Sequence, residues 1–130
     1  MSREQKLSQQ QLSEQARASH AWDNVEKVRS NQKEYGTLAR KLPALLQTNG
    51  LGQTLAFIRS KPDKPHFEML YRHLSDWVVA QMSGSGDLLE WVIQQDSSRY
   101  RRATTEAIAY AMWLRRFAEA KGWGEAGGEM

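Results

Sequence analysis

The side chains best equipped for chemistry in this sequence are arginines. Arg99, Arg101 and Arg102 open one helical segment, and Arg115, Arg116 and Lys121 close it. A guanidinium group matches phosphate oxygens with a rigid fork of donors. A helix start adds backbone N–H groups that have no partner within the helix. Three arginines in a first turn therefore make a candidate phosphate site. The competing arrangement is neutralisation by Asp96, Glu106 or a neighbouring helix. Arg115, Arg116 and Lys121 lie in last turns, where cations suit the helix dipole, so a structural role suffices for them. Arg40-Lys41 with Arg59, Lys61 and Lys64 extends the basic surface, as do Arg17, Lys27, Arg29 and Lys33. Trp22 and Trp91 are the tryptophans least committed to a core and the ones that could stack on a base.

The residues of catalysis are present but badly spaced. His20, His66 and His73 contain no His-Glu-x-x-His, and His66 lies two helical turns, about 10 Å, from His73. No metal centre is expected. Asp23 with Glu26 and Asp87 with Glu90 read as a solvated helix face and a helix cap. There is no Gly-x-Ser-x-Gly and no phosphate-binding Gly-x-x-x-x-Gly-Lys. With no cysteine, thiol catalysis, disulfides and cysteine-ligated zinc are excluded. These residues point to a protein that is not an enzyme and needs no cofactor.

The chain has 130 residues, enough for one domain with one core. Its 40% hydrophobic and 25% charged content belongs to a globular chain, not a disordered one. The polar start and the short apolar run 107–114 predict neither a secretory signal nor a membrane span, hence a cytoplasmic protein with no membrane partner. Net charge is +3, but residues 66–97 carry −4 and the rest +7. Segregation of this kind suits a basic face for nucleic acid and an acidic face for protein, or solvation alone.

Helical periodicity prevails and no stretch alternates as a strand, so the expected fold is all-α, a compact single-domain bundle of about six helices. The first helix is expected over 8–29, with Leu12, Ala16, Trp22, Val25 and Val28 as a thin apolar stripe. Tyr35, Leu38, Ala39, Leu42, Leu45 and Leu46 stripe the second, with Pro43 expected to kink or break it. Asn49-Gly50 ends it, and a third helix follows over 51–60. After the 61–65 loop come helices over 65–82 and 88–95, the latter capped by Asp87. Ser97 or Ser98 is expected to cap a last helix over 99–121, so apolar at 107–114 that it should lie centrally and be covered on all sides. The domain is placed at 1–122 and a disordered tail at 123–130.

Three ordered motifs carry a resemblance: Asn49-Gly-Leu-Gly-Gln-Thr-Leu-Ala-Phe57, Tyr100-Arg-Arg-Ala-Thr-Thr-Glu-Ala107 and Trp113-Leu-Arg-Arg-Phe-Ala118. Over about 17–121 the sequence resembles the small-subunit family of the type III-B CRISPR effector, the RNA-guided Cmr complex. The resemblance implies a non-catalytic subunit whose copies stack head to tail into the minor filament. That filament lies beside the backbone subunits, along the groove where target RNA pairs with guide RNA. Implied partners are the other effector subunits, copies of the chain itself, and guide and target RNA, with homo-oligomers possible for the isolated chain. The RNA-facing residues implied are Arg17, Arg40, Lys41, Arg101, Arg102, Arg115 and Arg116. The alternative is a helical protein–protein interaction domain with no nucleic-acid role, its basic patches merely solvating.

Overall fold

Tyr35, Leu38, Ala39, Leu42 and Leu46 recur at helical spacing, and all are buried to within 1%. They form the inner stripe of a helix over Gln32–Asn49 that runs unbroken through Pro43. The proline costs that helix one backbone bond, yet the residue is itself buried, and of the two expected outcomes, a kink or a break, the break does not occur. In the computed structural model, residues 9–125 are described, with side chains from residue 11.

Among the described residues the chain forms six helices and no strand: α1 (Gln9–Glu26), α2 (Gln32–Asn49), α3 (Leu51–Arg59), α4 (Pro65–Gln81), α5 (Leu88–Val92) and α6 (Ser97–Ala120). This is the all-α bundle that the periodicity predicts. Gly50, at φ +82° and ψ 168°, turns the chain between α2 and α3 in a conformation that favours glycine. Pro65 occupies the first turn of α4, where its missing N–H is harmless. Asp87 caps α5 by accepting from the Glu90 N–H at 3.1 Å.

The buried face of α6 is Ala103, Ala107, Tyr110, Ala111, Leu114 and Ala118. Small side chains at these positions let neighbouring backbones approach closely, and α2 is the most extensive of its neighbours, followed by α1 and α4. α6 is thus the central helix. It is not covered on every side, because Met112 stays 36% exposed.

The contribution of α1 is narrower than expected. Ala21 and Val25 enter the core, joined by Val28 just beyond the helix end, whereas Leu12 and Trp22 remain 45% and 40% exposed. Polar bonds supply much of the docking instead. Arg17 reaches Glu106, His20 reaches Tyr110, and Lys121 reaches Glu26. Because both partners advance together along the chain, α1 runs parallel to α6.

Contacts with the helical body continue past Gly122. Trp123 N–H donates to the Ala118 carbonyl at 2.9 Å, and the Trp123 carbonyl accepts from Arg40 Nε at 2.9 Å. Its ring meets Tyr35 edge-on at 6.3 Å. Gly36 makes the approach possible, since a Cβ there would lie 2.5 Å from Trp123 atoms. Glu125 N–H then donates to Thr37 Oγ1 at 3.3 Å. The first residues of the expected tail are therefore docked on α2, and residues 126–130 lie outside those described.

Candidate nucleic-acid interface

The α6 N-terminus is capped by Asp96, not by Ser97 or Ser98. The Asp96 carboxylate accepts from the Arg99 N–H at 2.8 Å and places a negative charge where the helix dipole is positive. The helix begins two residues earlier than expected, so Arg101 and Arg102 fall in its second turn. The three arginines then separate by role. Arg99 donates to Gln95 Oε1 at 3.1 Å and to the Met82 carbonyl at 2.8 Å, and lies 5.4 Å from the Trp91 ring centroid. It ties α6 to the end of α4 and to α5.

Arg101 and Arg102 are exposed, and neither makes an ion pair among the described residues. Both line an open groove of about 550 Å³ between the starts of α1 and α6 and the end of α4. Ser13, Gln81, Ser98 and Thr105 bring further polar groups to it.

Glu106 also borders this groove and stands four residues after Arg102, the spacing of a helical ion pair. Its carboxylate is taken by other groups. Arg17 Nε donates to Oε2 at 2.6 Å and a second Arg17 nitrogen donates to Oε1 at 3.1 Å. Trp77 Nε1 donates to Oε2 at 2.7 Å. Arg17 also meets Glu14 at 2.6 Å, and Glu14 accepts from Trp113 Nε1 at 2.6 Å. The Glu106 bond raises the Arg17 pKa above the usual guanidinium value, outweighing the opposing effect of burial. Hence the Glu106 charge is spent on α1, and Arg102 keeps its own.

The remaining candidates are placed elsewhere. Arg17 has only 12% of its side chain exposed. Arg40, at 19%, bonds the Trp123 carbonyl and lies 3.9 Å from Glu119. Arg115 and Arg116 reach the same Glu119 at 3.3 and 3.2 Å, so one carboxylate serves three guanidinium groups. Lys41 is half-buried on α2. Lys121 bonds Glu26 and sits over the Trp22 ring at 4.7 Å. Arg59 pairs with Asp87 at 2.7 Å and covers the Tyr71 ring at 5.2 Å. The candidates are thus not one continuous patch. A further exposed basic group, Lys27, Arg29 and Lys33, gathers at the α1–α2 turn.

The histidines are packed against aromatic side chains. His20 Nδ1 lies 2.8 Å from the Tyr110 hydroxyl, which also accepts from Asn24 at 2.8 Å. His73 Nδ1 lies 2.8 Å from the Tyr35 hydroxyl. Burial, joined by Arg72, pushes the His73 pKa down to about 4, while burial also lowers His20 and raises Tyr110. His66 is buried edge-on against Phe67. Among the described residues no group of three potential ligands converges to hold a metal, and no helix is long and apolar enough to cross a membrane.

Comparison with known proteins identifies the lineage of this arrangement. Residues 13–121 match the family model described as CRISPR-associated protein (Cas_Cmr5). The chain belongs to the Cmr5 family. Among relatives, it is similar to the CRISPR system Cmr subunit Cmr5 of Thermus thermophilus, with 38% identity over 103 residues, covering 73% of this chain and 85% of that protein. Among solved structures, it is similar to the crystal structure of a CRISPR-associated Cmr5 family protein, also from Thermus thermophilus. The TM-score is 0.70 at 34% identity, over 82% of this chain and 95% of that one. The small-subunit resemblance carried by the three sequence motifs is therefore the right family, and the helical fold agrees with that of its solved Cmr5 relative.

Proposed function

We propose that this Cmr5 family chain is a non-catalytic small subunit of an RNA-guided Cmr effector and holds target RNA electrostatically. The observation that carries the RNA part is the pair Arg101 and Arg102, exposed over a polar groove and without an ion-pair partner among the described residues. Phosphate contact of this kind reads no sequence, and base pairing to a guide supplies the reading. Arg101 and Arg102 are the leading contacts. Arg115, Arg116 and Lys41 are secondary ones, while Arg17 and Arg40 position other groups. In the same proposal, copies stack through a heterologous contact, which can repeat openly. Residues 66–97, which carry −4, and the remainder, which carries +7, supply complementary charge for it. If Asp76→Lys left self-association unchanged, that assignment of surfaces would be wrong.

The test is binding of single-stranded RNA by the full chain and by the Arg101→Ala/Arg102→Ala variant across a salt series. The expected result is weaker binding with the salt slope reduced by about 1.4, roughly 0.7 for each phosphate that the variant no longer neutralises on a single strand. Unfolding temperatures should stay close, since neither side chain supports a neighbour. Unchanged affinity and slope would overturn the assignment. Tagged purification from the native host should in parallel recover guide RNA together with large effector subunits. Recovery of proteins alone, unaffected by nuclease, would instead favour an interaction domain with no RNA role.

A further inference from the structure

Arg101 and Thr105 border two grooves at once. On one side lies the polar groove with Arg102 and Ser13. On the other is an open groove of about 710 Å³ between the end of α5 and the start of α6, bordered by Val92, Ile93, Tyr100 and Thr104. Ile93 is 66% exposed, the most open of the large apolar side chains among the described residues.

The polar atoms of this second groove are largely occupied. The Tyr100 hydroxyl accepts from the Gly52 N–H at 2.8 Å, which fixes the ring against the α2–α3 turn. The Thr104 and Thr105 hydroxyls donate to the backbone carbonyls of Tyr100 and Arg101 at 2.9 and 3.1 Å. What the groove offers a ligand is an apolar surface with an aromatic residue and little hydrogen-bond demand. Such a surface takes a flat, weakly polar body without discriminating its edge. The exposed Arg101 on its rim favours a body that carries a negative charge on one side. An unpaired nucleotide meets both demands, with its phosphate toward Arg101 and Arg102 and its base across the ridge.

We propose that the Ile93–Tyr100 groove is a base-accepting subsite for an unpaired nucleotide whose phosphate lies on Arg101 and Arg102. The subsite rests on the RNA-contact reading above and deepens it. The preferred ligand is single-stranded or locally extruded RNA, because a duplex keeps its bases stacked inside.

The probes are a short oligouridylate and a ribose–phosphate oligomer of the same length lacking bases, titrated against the full chain at low ionic strength. Wild type is expected to bind the base-bearing strand at least about fivefold tighter, the lower end of the gain from stacking one base. Ile93→Ser, which alters an exposed side chain and leaves the core intact, should reduce that preference while retaining affinity for the base-free strand. Equal binding of both strands by wild type overturns the subsite and leaves the phosphate contact standing. Binding of neither strand overturns the phosphate contact and the subsite together. If Ile93→Ser leaves the preference unchanged but abolishes self-association, the groove belongs to a second copy of the chain and the subsite is again overturned.

Discussion

Replacement of Arg17 by Met tests the central feature of the proposed interface, the node that holds Glu106 away from Arg102. Met keeps the apolar stem and removes the guanidinium. Two charged hydrogen bonds to Glu106 disappear, at 2.6 and 3.1 Å, along with one to Glu14 at 2.6 Å. Glu14 is 52% exposed, so its share is small. Glu106 is only 19% exposed and would retain Trp77 Nε1 as its donor. Breaking a buried pair costs about 3–5 kcal/mol and a surface pair at most about 1 kcal/mol. A node of intermediate burial should fall between these limits, at about 2–3 kcal/mol. For a chain of this length that lowers the unfolding temperature by about 10 °C.

The assay is thermal unfolding of Arg17→Met, Glu106→Gln and the double variant. A coupling of about 1.5 kcal/mol or more is expected between the two positions. Coupling below about 0.5 kcal/mol would refute the node as a stabilising unit. RNA binding supplies an independent readout. Once released, Glu106 is four residues from Arg102 and can neutralise it, so Arg17→Met should also flatten the salt dependence by about one phosphate's worth. Glu106→Gln, which cannot pair with Arg102, should not. Reduced stability with an unchanged salt slope would leave Arg17 with a structural role alone.

Acid should destabilise the protein through His73. Its folded pKa of about 4 lies below the usual 6.5, so the contribution is fully present above 6.5 and is lost as pH falls toward 4. Wild type should lose up to about 3 kcal/mol more than His73→Gln over that window, and equal losses in chemical denaturation at pH 7 and pH 4 would reject this. Tyr110→Phe removes a hydroxyl bonded to His20 and Asn24 but keeps the ring stacked on Trp77 at 5.6 Å. It should cost about 1–2 kcal/mol, and a variant as stable as wild type would show that these bonds contribute nothing net. Gly36→Ala gains about 1 kcal/mol of helix propensity, yet its Cβ would lie 2.5 Å from Trp123 backbone atoms. The clash should win, giving net destabilisation and faster proteolysis after Ala120, whereas a more stable variant would mean that Trp123 docks differently.

Much of the fold is legible in the sequence because it is written locally. The stripe of α2, the glycine turn at Gly50 and the Asp87 cap each depend on residues a few positions apart. Where expectation and structure part, the deciding contact is distant. Trp123 looks like the start of a glycine-rich tail until the missing side chain of Gly36, far along the chain, is placed beneath it. Pro43 reads as a break because its cost to the backbone is local, while its burial in the core is tertiary. The cap of α6 is a closer contest. Asp96, Ser97 and Ser98 are all competent caps, and the structure selects the residue whose charge also opposes the dipole.

The interface is legible in composition but not in allocation. Sequence spacing pairs Arg102 with Glu106, and that pairing would silence the very charge on which the proposed phosphate contact depends. The outcome is reversed by Arg17, 89 residues away, and by Trp77, which together consume the carboxylate. Likewise Arg115 and Arg116 are as basic as Arg101 and Arg102 on paper, yet both have Glu119 beside them. A guanidinium that shares a carboxylate gives up part of that attraction when a phosphate replaces it, at most about 1 kcal/mol for an exposed pair. The useful quantity is therefore not how many arginines a surface carries but how many carboxylates compete for each one. At Arg101 and Arg102 no carboxylate among the described residues does, which is why affinity and salt dependence should respond there first.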